Sequence, residues 1–194
     1  MATIDLPNNI LEALSTVLQQ LQQSLPKIKQ APDFSAIAFK WENGELKPIH
    51  QLKRIELNDL KGIERQKEKV LQNTEQFLNG LPANDVLLTG SRGTGKSSIV
   101  RALLTEYAEQ GLRLIEIERD DLSELPEIQK LIAERPEKFI VYCDDLAFNA
   151  EDENYRSLKS VLDGSLQSGS SNFIIYATSN RRHLLPEFMH ENTP

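Results

Sequence analysis

The sequence predicts an α/β fold in which helices cover both faces of a parallel β-sheet, giving three layers. After Pro82, short apolar runs alternate with helical patterns, which is typical of parallel strands buried on both faces. A glycine-rich loop follows the first apolar run, and two acidic residues follow the third. Since the carboxyl ends of parallel strands meet at one edge of a sheet, these positions predict a ligand site there.

The first 57 residues are predicted to form an N-terminal appendage. From Pro7 to Leu25, apolar residues recur at three- and four-residue steps, which indicates an amphipathic helix. Its apolar stripe could bind a partner or pack on the chain's own domain, and the sequence favours neither. The segments from Phe34 to Trp41 and from Leu46 to Ile49 are predicted to form two short strands around a tight turn at Asn43-Gly44.

Residues 58–194 are predicted to form the core domain. A helix begins near Gly62 and ends before Gly80 and Pro82. The apolar runs predict strands at Asp85–Thr89, Leu112–Glu118, Lys138–Cys143 and Asn172–Thr178. The helical patterns between them predict helices at about Lys96–Gln110, Pro126–Glu134 and Asn154–Ser168.

Composition limits the classes of protein that this chain can represent. Its 194 residues, 39% of them hydrophobic, suffice for one good core with an appendage but are few for two full domains. The formal net charge of −7 disfavours a dedicated nucleic-acid binder, although it leaves room for a local basic patch. Cys143, the only cysteine, lies in an apolar run, which predicts a buried thiol in a reducing cytoplasm. No apolar stretch approaches the roughly 20 residues of a membrane span.

The glycine-rich loop carries the strongest chemical signal. Residues 90–97 match the pattern G-x-x-x-x-G-K-[ST] between a strand and a helix, which is the context that a phosphate-binding loop requires. Lys96 is predicted to reach the β- and γ-phosphates of ATP, and Ser97 to ligate Mg²⁺. Backbone N–H groups at the start of the next helix are expected to bind the phosphates. The predicted nucleotide-binding residues of this segment are Gly90, Arg92, Gly93, Thr94, Gly95, Lys96, Ser97 and Ser98.

Polar side chains at the ends of two later strands predict the rest of the site. Asp144 is expected to hold Mg²⁺ through water, and Asp145 to orient or deprotonate the attacking water. A capping role is the alternative for Asp145. Asn180 follows the fourth strand and is the candidate sensor, so that Lys96, Asp145 and Asn180 form the predicted catalytic set. The basic residues 181–183 are interpreted as a solvated turn or as a contact with a phosphate or a neighbouring subunit.

These segments together resemble the AAA+ ATPases. Residues 58–63 are similar to the element that precedes the phosphate loop in that family, and the resemblance implies that the backbone near Gly62 and Ile63 contacts adenine. A narrower resemblance, to a bacterial AAA+ group catalogued as domain of unknown function 815, rests on residues 139–148, 155–164 and 176–184. It implies a three-layer P-loop NTPase fold of the AAA+ type.

Two departures from the AAA+ pattern modify this expectation. The chain ends at Pro194, before the fifth strand, arginine finger and helical lid that the family carries, so we expect a truncated chain with weak or absent hydrolysis. In the family's strand order the strand at 85–89 would then be an edge, which the appendage is hypothesised to cover. Residues 119–126 lack the aromatic residue and the glycine of a pore loop, which argues against threading of polypeptides.

We therefore expect an ATPase that couples its nucleotide state to remodelling or loading of a partner protein, and that self-associates through the nucleotide site. The alternative is a nucleotide-gated binding module without turnover. A small-molecule kinase is less favoured, because the segment after Asp145 shows neither an arginine-rich lid nor an acceptor pocket. The sequence identifies neither the partner nor the oligomeric state.

Overall fold

A six-stranded β-sheet forms the centre of the structure, a computed structural model that describes residues 10, 15–17, 32–147 and 172–180. The strands lie in the order β2-β1-β4-β5-β6-β3, and every neighbouring pair is parallel except the hairpin β1-β2. Their bounds are β1 Ala38–Glu42, β2 Glu45–Pro48, β3 Val86–Thr89, β4 Leu112–Glu116, β5 Lys138–Cys143 and β6 Phe173–Ser179.

Helices cover both faces of this sheet. In the described residues the α-helices are α1 Glu64–Leu78, α2 Lys96–Tyr107 and α3 Leu125–Ile132, and 3-10 helices lie at Leu57–Asp59, Ala108–Gln110 and Arg119–Glu124. On one face, Ile140 of β5 clusters with Val70 of α1 and Leu103 of α2. On the other face, Val141 clusters with Ile128 of α3. The predicted three-layer α/β fold is therefore confirmed. None of these helices has both the length and the apolar character needed to cross a membrane.

The four predicted core strands agree with the observed strands to within two residues at each end. The helix after the glycine-rich loop ends earlier than predicted, at Tyr107, and continues as a 3-10 turn to Gln110. Gly111 follows with a φ of 94°, and so closes the segment as expected. The predicted helix at 154–168 lies outside the described residues. So does most of the predicted helix at 7–25, of which Ile10 and residues 15–17 are helical.

The hairpin β1-β2 is part of the sheet, and not an appendage to it. The chain divides into two compact units, residues 1–31 and 32–194, so the hairpin and the core share one unit, whereas the predicted boundary lay at residue 57. Strand β1 pairs in parallel with β4, and the indole of Trp41 donates a hydrogen bond of 2.6 Å to Glu124. The turn has the predicted form, with positive φ at Asn43 (54°) and Gly44 (72°).

Strand β3 lies at one end of the sheet formed by the described residues, with β6 as its neighbour. An edge position for residues 85–89 was the expectation, and it agrees with the order of the described strands. The hypothesis that the appendage covers this edge is wrong for the hairpin, because β1 pairs with β4 at the opposite side of the sheet.

Candidate functional site

The glycine-rich loop connects β3 to α2 at the carboxyl edge of the sheet. Its first residue, Gly90, is tied to the neighbouring strand, since its N–H donates to the Ser179 carbonyl at 3.1 Å. Gly93 and Gly95 have φ of 76° and 85°, which lie in the left-handed region that favours glycine. A Cβ atom on Gly95 would also lie 3.2 Å from Cδ1 of Ile63. The loop conformation therefore needs glycine at Gly95 both for its backbone and for its packing.

A cavity of about 380 Å³ opens at this edge of the sheet. Eleven of the described residues line it, and they come from the loop with the start of α2 and from the ends of β5 and β6. They are Arg92, Gly93, Thr94, Gly95, Lys96, Ser97, Ser98, Asp144, Asp145, Thr178 and Asn180. The fold thus brings together every predicted catalytic and metal-binding residue, along with all of the predicted loop residues except Gly90.

Lys96 is held by three acceptors. Its Nζ donates to the carbonyls of Gly90 at 2.6 Å and Ser91 at 2.8 Å, and to Oδ1 of Asn180 at 3.1 Å. These acceptors use all three donors of an ammonium group. A bound phosphate would have to compete with these acceptors for Lys96. Because Asn180 is one of them, its side chain is in position to respond when a phosphate takes over the ammonium group.

Asp144 lies between α2 and β6, and its Oδ1 atom accepts several hydrogen bonds. The donors are the Ser97 hydroxyl at 2.9 Å, the Asp145 N–H at 3.1 Å and the Thr178 hydroxyl. Burial alone would raise the pKa of this carboxyl, but these hydrogen bonds, together with the nearby Tyr142 hydroxyl, outweigh burial and lower the pKa. Asp144 is therefore held as a carboxylate at neutral pH.

Asp145 has an unusual backbone and two side-chain partners. Its φ is 52°, a conformation that is uncommon for a residue other than glycine and that often marks functional sites. Its Oδ1 accepts from Asn180 Nδ2 at 2.5 Å, and its Oδ2 pairs with Arg92 Nη2 at 3.5 Å. The Asp145 N–H donates to the Thr178 hydroxyl at 3.0 Å. Asp145 is thus a member of the cavity wall, while the segment that it could cap lies outside the described residues beyond residue 147.

Thr178 is the residue of this site that the sequence did not single out. Its hydroxyl contacts both the Asp144 carboxylate and the Asp145 N–H, and so links the two acids to β6. The available signal was its position, one residue before the end of a strand that was predicted to border the site. Pairing of β6 with β5 could not be deduced from that position alone.

Gly62 and Ile63 lie beside the loop but do not line the cavity. The Gly62 N–H donates to the carboxylate of Glu64 at 3.0 Å, and Ile63 is the N-cap of α1. The Ile63 side chain reaches Gly95, so this segment is within contact distance of the phosphate-binding loop. Residues 181–183 lie outside the described residues.

The oxygen atoms around Asp144 fit a hard divalent cation. Ser97 supplies a hydroxyl and Asp144 a carboxylate, which are oxygen ligands of the kind that Mg²⁺ prefers. All hydrogen bonds to Asp144 from the described residues fall on Oδ1, which leaves Oδ2 available. Cys143, in contrast, points away into the core, where burial raises the pKa of its thiol to about 12. The prediction of a buried thiol is confirmed.

Comparison with known proteins adds a family and a fold. The family described as "Protein of unknown function (DUF815)" matches residues 34–194. The ADP complex of the FIGL-1 AAA domain has a similar structure, with 19% identity, a TM-score of 0.50, and coverage of 71% of this chain and 53% of that one. At this identity the likeness concerns the fold alone, and the three-layer core of this chain resembles that of an AAA domain.

Two other matches cover a smaller share of the matched protein. DnaA from Aquifex aeolicus, bound to AMPPCP, shares 21% identity at a TM-score of 0.44 over 62% of this chain and 39% of its own. The replication factor C large subunit of Methanococcus maripaludis is 36% identical over 52 residues, which are 27% of this chain and 11% of that protein. The chain thus spans between about a tenth and about a half of these proteins.

Proposed function

The chain belongs to the family described as protein of unknown function (DUF815), and from that premise we propose that it binds ATP with Mg²⁺ and hydrolyses the ATP. One observation carries the proposal. The loop residues 92–98, the acids Asp144 and Asp145, and Asn180 all line a single cavity of about 380 Å³, although they come from three separate parts of the chain. This is the arrangement that phosphoryl transfer from a nucleotide requires.

The contacts of the site suggest a role for each group. We infer that the backbone N–H groups at the start of α2 and the Lys96 ammonium bind the phosphates. Ser97 and Asp144, 2.9 Å apart, would hold Mg²⁺. When bound, Mg²⁺ neutralises negative charge on the phosphate oxygens. The backbone near Gly62 and Ile63 would lie against adenine, which the contact of Ile63 with Gly95 supports.

Asp145 and Asn180 are the groups proposed to act on the attacking water. Their side chains are 2.5 Å apart, and Asn180 also contacts Lys96. Asn180 is therefore placed to respond to a γ-phosphate at Lys96 and to alter the hydrogen bonding of Asp145. This link supports a sensor role for Asn180.

The coupling to a partner belongs to the proposal too. We infer that the nucleotide state controls the remodelling or loading of a partner protein, and that copies of the chain associate through the nucleotide site. Exposed Arg92 and half-exposed Asp145 at the mouth of the cavity would face such a copy. The buried, reduced state of Cys143 suits a cytoplasmic setting.

A nucleotide-gated module without turnover is the second candidate. Both oxygens of Asp145 have partners, Asn180 and Arg92, and these partners compete with an attacking water for the carboxylate. If nucleotide binding fails to release these contacts, the protein would bind ATP and change conformation without hydrolysing it.

ATP binding and hydrolysis, measured over a range of protein concentrations, distinguish these candidates. Lys96→Ala is expected to abolish binding, and Asp145→Asn to abolish turnover while binding persists. Lys130→Ala and Asp120→Asn are matched controls, because both residues are exposed members of surface ion pairs outside the cavity. A turnover rate per chain that rises with protein concentration supports an ATPase whose site is completed between two copies. Tight binding with no turnover at any concentration supports the module, and normal binding by Lys96→Ala would contradict both.

A further inference from the structure

Tyr142 lies directly beneath the proposed cation site. It precedes Asp144 by two residues in the chain, and alternate residues of a strand point to the same face. That face of β5 packs against α2, the helix that carries Ser97. The Tyr142 ring is part of the buried cluster on this face, and the residue is 2% exposed.

The hydroxyl of Tyr142 has no hydrogen-bond partner within the described residues. It lies beside the side chains of Ser97, Asp144 and Thr178, close enough to help lower the pKa of Asp144, but it forms a hydrogen bond of normal geometry with none of them. A buried donor without an acceptor is unfavourable, and such groups are rare in folded proteins. Phenylalanine would fill the same space without this cost.

The other buried tyrosines among the described residues are satisfied. The Tyr176 hydroxyl contacts the Thr74 hydroxyl at 2.8 Å and accepts from the Asn73 amide at 3.0 Å. The Tyr107 hydroxyl donates to Glu75 at 2.8 Å. The unpaired hydroxyl of Tyr142 is therefore a local feature of the cation site and not a general feature of the core.

Asp144 offers the acceptor that Tyr142 lacks. In the ligand-free arrangement, Ser97, Thr178 and the Asp145 N–H all donate to Oδ1. A cation held by Ser97, and by Asp144 directly or through water, would draw on oxygen atoms of both groups and so change the hydrogen bonding of the Asp144 carboxylate. A hydrogen bond from a neighbouring donor then fixes the orientation of such a ligand.

We infer that Tyr142 is a positioning residue for Mg²⁺: its hydroxyl, unpaired in the ligand-free protein, donates to the Asp144 carboxylate when the Mg²⁺-nucleotide complex is bound. The inference rests on the proposed function, because it assigns a further residue to the same site. It implies that removal of the hydroxyl has different effects on the free and the Mg²⁺-bound protein. The ligand-free protein loses an unsatisfied buried group, whereas the Mg²⁺-bound protein loses a hydrogen bond.

The test compares Tyr142→Phe with wild type by titration with ADP, in Mg²⁺ and in EDTA, and by thermal unfolding without ligand. We expect the variant to bind ADP normally in EDTA and to lose about 10- to 100-fold in Mg²⁺-dependent affinity. Its unfolding temperature without ligand should be equal to or above that of wild type. Tyr176→Phe is the matched control, since it removes a satisfied hydroxyl from the residue paired with Tyr142 in the sheet. It should unfold at a lower temperature and keep the full effect of Mg²⁺.

Each result has one meaning. An equal Mg²⁺ effect in Tyr142→Phe and wild type would overturn the inference and leave the proposed function intact. Equal loss of affinity in Mg²⁺ and in EDTA would also overturn it, because that pattern indicates a packing role. Failure of wild type to bind ADP in both solutions would overturn the proposed function itself, and the inference with it.

Discussion

At the scale of single residues, Asp144 shows how neighbouring groups determine the state of a carboxylate. Burial favours the protonated form, but donors from α2 and β6 and the next backbone N–H favour the charged form, and they prevail. Asp85 is the opposite case in the same sheet. Burial raises its pKa, and the single hydrogen bond that it accepts from the Ile175 N–H at 2.6 Å does not offset this. Deeper burial with a single donor raises the pKa of Asp85, whereas shallower burial with several donors lowers the pKa of Asp144.

The pH dependence of stability should reveal this difference. Because the pKa of Asp144 is lower in the folded protein than the ordinary value of 3.8, its contribution to stability is fully present above that value. The contribution is lost as the pH falls through the lower, folded-state pKa. Asp144→Asn should therefore lower the free energy of unfolding at neutral pH by about 1 kcal/mol or less, since the group is partly exposed. The difference from wild type should shrink towards pH 3 in urea unfolding experiments.

Asp85→Asn provides the control with the opposite sign. Its raised pKa means that the charged form is disfavoured by folding, so wild type carries a penalty at neutral pH that disappears as the pH falls. The variant should gain stability relative to wild type at pH 7 and lose this advantage in acid. Parallel pH profiles for both variants would contradict the assignment of the two pKa shifts.

At the scale of elements, the glycine-rich loop depends on the segment before α1. Gly95 is the N-cap of α2 and faces Ile63, so the loop and the segment at Gly62–Ile63 are packed together. This packing positions both parts of the proposed nucleotide site against each other.

Gly95→Ala should disrupt the loop. Gly80→Ala serves as the control for the effect of backbone strain at a glycine with positive φ outside the loop. Both glycines have positive φ, 85° and 69°, so each substitution costs about 1–2 kcal/mol in backbone strain. A Cβ at Gly95 also meets Ile63, whereas nothing lies within 4 Å of one at Gly80. We expect Gly95→Ala to lose more stability than Gly80→Ala, with ADP affinity lost in Gly95→Ala alone. Equal affinities in isothermal titration would show that the contact with Ile63 does not shape the site.

The hairpin β1-β2 is the element whose role the structure changes most. Trp41 is 2% exposed, packs in the core cluster that contains α3, and donates to Glu124 at the end of the 3-10 helix after β4. The hairpin thereby covers the edge of β4 and anchors the 3-10 helix at residues 119–124.

Substitution of Trp41 tests whether the hairpin is integral to the fold. Trp41→Ala should lower the free energy of global unfolding by about 3–5 kcal/mol, because it leaves a large cavity and removes a hydrogen bond. Lys47→Ala on β2 is the control, and its exposed ion pair with Glu42 predicts a change of about 0.5 kcal/mol or less. Denaturant unfolding monitored by circular dichroism measures both. If Trp41→Ala left the main transition unchanged, the hairpin would be a separable appendage.

At the scale of the whole molecule, the unit that begins at Pro32 contains the complete described sheet and the complete cavity. Its central strands β5 and β6 are buried along almost their entire length. Polar groups of the site lie where these strands end, so the packing of the core holds the site residues in position.

Two shortened chains test whether the folded unit begins at Pro32 or at the boundary predicted from the sequence. A chain of residues 32–194 should fold and bind ADP with wild-type affinity, because it retains every described strand and cavity residue. A chain of residues 58–194, which starts at the boundary predicted from the sequence, should unfold more readily, since it exposes the edge of β4 and loses Trp41. Thermal unfolding and ADP titration of both chains provide the comparison. Equal stability of the two would support the boundary at residue 57.

Much of this protein could be predicted from local pattern. The buried strands, the glycine-rich loop and the polar residues 144, 145 and 180 are visible in the sequence, because burial imposes apolar runs and phosphate binding imposes glycines at fixed spacing. Such signals lie within short stretches of chain. The family resemblance, carried by the same stretches, agrees with the matched family.

Only the tertiary structure decided which distant segments meet. The hairpin carries its own turn signal, but nothing in its sequence specifies β4 as its partner, since backbone pairing is available to any strand of matching pattern. Thr178 and Tyr142 became site residues in the same way, through the pairing of β6 with β5 and the packing of α2 on β5. The sequence by itself determined the local elements and the chemistry of the loop, whereas long-range packing determined the neighbours of Asp144, because those contacts join residues far apart in the chain.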